Sequence, residues 1–142
     1  MLRLNKLTDY AVVVLAQMSR DPAMRYTSGT LAGMTAVPEP TVAKILKDLA
    51  KSDLLVSFRG AAGGYSLSRP GSEITIRQVI EAIDGPINMV ECVDATSDCC
   101  MGEKRCPLRG RWNLVNDAII EKLDGITLHD MLHQPLVRIE AA

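Results

Sequence analysis

The sequence predicts a mainly α-helical fold with one small β-hairpin, followed by a long helix. Three observations carry this expectation. Apolar residues recur at helical spacing in several stretches. One glycine-rich turn, Arg59-Gly60-Ala61-Ala62-Gly63-Gly64, separates two short runs of strand composition, Leu55-Val56-Ser57-Phe58 and Tyr65-Ser66-Leu67. A chain of 142 residues, 47% apolar and 23% charged, suits a single compact domain with one core.

Taken in order, Thr8 is placed to cap a first helix through Tyr10 to Ser19, with Leu7, Ala11, Val14 and Met18 facing a core. Asp21-Pro22 breaks it. Ser28 is placed to cap a short second helix containing Leu31, Ala32 and Met34, and Val37-Pro38 makes a tight connection. A third helix follows over about Glu39 to Ser52, with Pro40 tolerated in its first turn. Its stripe is Val42, Ile45, Leu46 and Leu49, which leaves Thr41, Lys44 and Lys47 toward solvent. Two helices joined by a tight turn, then a glycine-rich hairpin, is the layout of a winged helix-turn-helix. A fourth helix, about Ile76 to Ile83, stops at Asp84-Gly85-Pro86. After a loop and Pro107, a long helix is expected to run to about Leu123, with Leu108, Trp112, Val115 and Ile119 on one face. That face suits either a core or a dimer seam. Thr127 to His133 reads as a short closing helix. The organisation expected is a DNA-binding region over 1–84, a cysteine loop over 85–106, and a dimerisation helix with the closing helix over 107–142.

No apolar run is long enough to span a membrane, and the start, MLRLNKLTDY, does not read as a secretory signal, so the cytoplasm is expected. The net charge of −1 conceals an asymmetry. Residues 1–70 carry nine Lys/Arg against five Asp/Glu, and residues 71–142 carry seven against twelve. A basic half attracts a phosphate backbone, although patchiness on a solvated surface looks the same.

The third helix is the candidate recognition helix, its Glu39, Thr41, Lys44 and Lys47 available to base edges and phosphates. The hairpin strengthens the reading. Arg59 begins a tip whose glycines let backbone approach a phosphate, and an arginine there suits a narrow minor groove. The expected DNA-binding set is Thr41, Lys44, Lys47, Arg59, Gly63, Gly64 and Tyr65, with double-stranded operator DNA as partner. No nucleophile–base pair or phosphate loop is present, so no enzyme is expected.

All four cysteines lie in one segment, at Cys92, Cys99, Cys100 and Cys106. Clustered cytosolic thiols point to metal or redox chemistry rather than to structural disulfides. No Cys-x2-Cys pair of the zinc-knuckle kind occurs. Widely spaced thiolates on one loop can wrap an iron–sulfur cluster, while an irregular zinc site, a disulfide switch and free thiols stay open. His129 and His133 have a spacing a metal can use but lie far along the chain, and read as a surface or half-buried pair.

The opening LNKLTDYAV, the third-helix segment LKDLAKSDLL, the wing FRGAAGGYSLSR, the segment ITIRQVIEAIDGP and the cysteine loop together resemble the Rrf-two family of iron–sulfur-sensing winged-helix regulators, with IscR-, NsrR- and RirA-like members. KLTDYAVVVL, GPINMVEC and RWNLVNDAI are most similar to the branch that controls the SUF cluster-assembly operon. The resemblance implies a homodimeric repressor, without catalysis, whose operator binding depends on one cluster per subunit. The cluster expected is 2Fe–2S rather than 4Fe–4S. The implied thiolate ligands are Cys92, Cys106 and one of the adjacent pair, taken as Cys100 for its five-residue gap to Cys106, with Cys99 as the other choice. Some members place a histidine three residues after the last cysteine; here Arg109 stands there and cannot ligate iron. Others carry an aspartate near the start of the first helix that reaches the partner subunit's cluster, and Asp9 matches it. A thiol-redox or nitric-oxide-responsive regulator is the alternative expectation.

Overall fold

Six α-helices and one hairpin make up a computed structural model that describes residues 3–90, 93 and 105–135. Helix α1 spans Lys6–Met18, α2 Ser28–Thr35 and α3 Glu39–Lys51. Strands β1 (Leu55–Phe58) and β2 (Gly64–Leu67) pair antiparallel, Leu55 opposite Leu67 and Phe58 opposite Gly64. A 3-10 turn (Gly71–Glu73), α4 (Ile76–Asp84), α5 (Trp112–Asp124) and α6 (Leu128–His133) follow.

The core forms where the amphipathic faces converge. Ala11, Val14, Leu15 and Met18 of α1 meet Leu31 of α2 and Val42, Ile45, Leu46 and Leu49 of α3. Leu54, Leu55, Ile74 and Val79 close it. The expected α3 stripe is therefore the buried one. The turn between α2 and α3 is made by Ala36 in the left-handed region, at φ 58°. Ser28 Oγ donates to Glu39 Oε1 at 3.2 Å, joining the two helices at their starts.

Two helix starts differ from expectation. Asn5, not Thr8, caps α1: its backbone is extended and its side chain accepts from Leu7 N at 3.0 Å. Thr8 lies inside the helix, fully buried, and its hydroxyl donates to Asp84 Oδ2 at 2.7 Å. Thr27, not Ser28, caps α2 by accepting from Thr30 N. In each pair both residues are good caps; the backbone turns from extended to helical at the earlier one.

The long helix also differs. It starts at Trp112, and residues 107–111 before it are turns, so Leu108 lies outside it. Its expected single face is divided. Leu108, Trp112 and Val115 line a shallow groove of about 200 Å³ that is open to solvent. Ile119 and Leu123 instead line a cleft of about 270 Å³ with Ile76 and Ile80 of α4. Packing of α5 on α4 draws its C-terminal half toward its own chain. Arg77 at the start of α4 holds that end, donating to Asp124 at 2.8 Å and to Glu81 at 3.1 Å. Both bonds keep its guanidinium above its ordinary pKa, Asp124 the more strongly.

Helix α6 returns to the N-terminal half. Its start is pinned by Leu128 N donating to Ile74 O at 2.8 Å, and the Leu128 side chain is in the core. Thr127 and Asp130 form a capping box, whose bonds hold the half-buried Asp130 carboxyl below its usual range.

Candidate nucleic-acid interface and cysteine segment

Helix α3 buries one side and offers the other. Lys44 and Lys47 are exposed and Thr41 is half-buried. Lys44 Nζ lies 2.7 Å from Asp48, an exposed i,i+4 pair of little stabilising value that leaves the ammonium exchangeable for another anion. Lys47 has no ion pair among the described residues.

The wing carries Arg59 at an exposed tip. Its glycines are needed for close backbone packing. A Cβ on Gly63 would lie 2.8 Å from the carbonyl oxygens of Phe58 and Gly60. Gly64 has φ 135°, and a Cβ there would sit 2.7 Å from Tyr26 O. That contact exists because Tyr26 bonds the wing's second strand: Tyr26 N donates to Tyr65 O and Tyr65 N to Tyr26 O, both at 2.8 Å. Tyr65 is half-buried in this bridge. Thus Gly63, Gly64 and Tyr65 set the shape of the ribbon, while Arg59 has its side chain out in solvent.

One residue that holds the wing, from the segment before α2, is not legible in the sequence. The guanidinium of Arg25 stacks over Phe58 with Cζ 3.8 Å from the ring centroid, and Nη1 donates to Ala62 O at 3.1 Å. Its partners are more than thirty positions away, so no local pattern reveals them.

Of the cysteine segment, Cys92, Cys99 and Cys100 lie outside the described residues. Cys106 is exposed and free, and its carbonyl accepts from Arg109 N at 3.3 Å. Asp9 is exposed in the first turn of α1. No three His, Cys, Asp or Glu side chains converge among the described residues. What the structure does place is the approach to the segment. Asp84, the last residue of α4, accepts from Asn5 Nδ2 at 3.1 Å and from Thr8 Oγ1 at 2.7 Å. Those two donors lie at the start of α1, Thr8 immediately before Asp9. Five residues on, Met89 N donates to Oδ1 of Asn116, which is 3% exposed and the only buried residue of α5. The chain leading to Cys92 is therefore bonded to α1 on one side and to α5 on the other. Thr8, Asp84 and Asn116 were not among the expected site residues; their bonds are long-range.

His129 and His133 stack with ring centroids 4.0 Å apart, and His133 Nδ1 lies 2.9 Å from His129 O. With Arg69 and Pro70 they line a separate cleft of about 430 Å³ between α6 and the base of the wing.

Comparison with known proteins places these features. Residues 4–134 match the family described as Rrf2, iron-dependent transcriptional regulator. An rrf2-like HTH-type transcriptional regulator of Rhodobacter capsulatus is 30% identical over 131 residues, covering 87% of each chain. Among solved structures, CymR, the global cysteine regulator of B. subtilis, aligns with a TM-score of 0.71 at 26% identity, over 96% of this chain and 100% of that one. IscR of T. potens aligns with a TM-score of 0.66 at 25% identity, over 99% and 93%.

Proposed function

Since the chain belongs to the Rrf2 family of transcriptional regulators, we propose that it is a homodimeric, cytoplasmic repressor of iron–sulfur assembly genes of the SUF type, whose operator binding responds to an iron–sulfur cluster. The observation that carries this reading is the bonding of the cysteine segment's approach to two elements at once: to the first turn of α1 through Asp84, and to α5 through Asn116. A change at the cysteines then reaches both the DNA-binding body and the helix that joins the subunits. No helix among the described residues is long and apolar enough to cross a membrane.

In this reading Thr41, Lys44 and Lys47 of α3 enter a major groove, and Arg59 reaches the adjacent minor groove. Gly63, Gly64 and Tyr65 let the ribbon lie close to the phosphates. Leu108, Trp112, Leu114 and Val115 are the seam with a second copy; Leu114 is 78% exposed in the single chain. The donor set fits a cluster: soft thiolates confined to one segment, with Cys106 accessible and in no disulfide. Cys92, Cys100 (or its neighbour Cys99) and Cys106 would hold it, with Asp9 of the second copy as the oxygen ligand. When bound, the cluster, 2Fe–2S in this reading, supplies a cross-link among these residues that depends on iron supply and oxidation state. The chain's own part is to present Cys106 and to keep Asp9 aimed from α1, whose first turn Asp84 fastens. Cluster state then biases two arrangements of the dimer.

Protein purified without oxygen is expected to be brown. Cys106→Ala should lose the visible absorption, and Asp9→Ala should keep its fold with an altered or labile spectrum. A colourless wild type holding zinc or no metal would sink the cluster reading. The exposed, free thiol of Cys106 supports a second reading, in which the thiols respond to oxidant or nitric oxide without a cluster. In that case operator affinity follows thiol oxidation in metal-free protein.

A further inference from the structure

A two-stranded ribbon with four residues in each arm is marginal by itself and takes its direction from what holds it. At its base the wing is held by the core, where Leu55 is buried. Midway, the paired Tyr26–Tyr65 bonds fix the first part of β2. Beyond that bridge Gly64 packs against the Tyr26 backbone, and one side chain of the body supplies both a ring contact and a hydrogen bond to the tip. Arg25, next to Tyr26, lays its guanidinium on the Phe58 ring and donates to the carbonyl of Ala62. Phe58 is the last residue of β1 and immediately precedes Arg59; Ala62 is three residues after it. Arg25 thus grips both arms of the tip on either side of Arg59. The grip uses both properties of a guanidinium, its planar face on the ring and its directional N–H on the carbonyl.

We propose that Arg25 is a positioning residue for DNA recognition: it fixes the wing tip before DNA arrives, so that Arg59 is presented in one direction. The proposal rests on the reading of the wing as a DNA contact. Arg25 is itself an exposed cation, so the competing role is direct contact with a phosphate. The two roles differ in how Arg25 combines with Arg59. A residue that acts through Arg59 has nothing left to lose once Arg59 is gone, whereas an independent phosphate contact adds its own loss and its own released counterion.

The experiment is a double-mutant cycle on the full chain with an operator fragment, using Arg25→Ala, Arg59→Ala and the pair, each titrated at several salt concentrations. Arg25→Ala should weaken operator binding roughly three- to tenfold with the salt slope of wild type, and the double variant should bind no more weakly than Arg59→Ala. Arg25→Lys should resemble Arg25→Ala, since an ammonium keeps the charge but neither the planar face nor the fork. Amide exchange should quicken at residues 59–63 in Arg25→Ala and stay as in wild type across α1 and α3, which reads the grip without DNA. Additive losses with a salt slope lower by about one would make Arg25 a phosphate contact and overturn the proposal. So would wild-type affinity or unchanged exchange in Arg25→Ala. Wild-type affinity in Arg59→Ala would overturn the wing reading itself, and this proposal with it.

Discussion

Helices α3 and α5 are each thirteen residues long, and both carry an apolar stripe, yet they stand in different relations to the rest of the chain. In α3 the residues Val42, Ile45, Leu46 and Leu49 are all fully buried against α1, α2 and the start of the wing. In α5 the only buried residue is the polar Asn116, while Trp112, Leu114 and Val115 remain 37%, 78% and 41% exposed. The difference separates a face that the chain completes from one that it leaves exposed. The apolar face of α3 is satisfied internally, so its outer face of Thr41, Lys44 and Lys47 is free for a polar partner. In the N-terminal half of α5, Trp112 and Val115 line one groove with Leu108, and exposed apolar surface of this kind marks an interaction site. Its C-terminal half, Ile119 and Leu123, is already turned toward α4.

The largest effect expected is on the α3 side. Leu46→Ala should cost about 2–5 kcal/mol of stability, through lost burial and the cavity left behind, in urea unfolding at any protein concentration. Val115→Asp should act differently. The single chain should keep its helical signal, while the dimer seen in sedimentation velocity should dissociate by on the order of 100-fold or more, because an unpaired carboxylate in an apolar seam costs several kcal/mol. The concentration dependence of thermal stability should vanish with it. A wild-type chain that is monomeric at micromolar concentration would remove the distinction between the helices. The smallest stability effect is at Lys44, whose exposed pair with Asp48 is worth about 0.3–0.5 kcal/mol. Lys44→Ala should therefore leave unfolding nearly unchanged while lowering operator affinity and reducing the salt slope by about one. Equal operator affinity in that variant would make α3 an ordinary surface helix.

The same contrast explains what the sequence made legible. The α3 stripe and the wing were readable because both rest on local rules: four apolar residues at helical spacing, and glycines where backbone must pass closely. The start of α1 was not, because Asn5 and Thr8 are both good caps and the use of the Thr8 hydroxyl is decided by Asp84, 76 positions on. In sequence the α5 face reads as continuous from Leu108 to Ile119, because spacing alone cannot tell which turns α4 covers. Cysteine type and clustering were legible. The choice between Cys99 and Cys100 is not a matter of spacing alone, and both lie outside the described residues. Arg25 was invisible for the reason Asp84 was: its role exists only once the hairpin has folded back toward the segment before α2.

In the proposed function the state of the cysteine segment governs the DNA-reading half through the bonds at Asp84 and Asn116. That coupling is tested most directly by titrating operator DNA, anaerobically and at one salt concentration, with two halves of a single wild-type preparation, one holding its cluster and the other stripped of it by a chelator. Operator affinities of the two halves should differ by about tenfold or more, within the usual range of coupling between two sites, with little difference on unrelated DNA. Equal operator affinity in the two halves would contradict it.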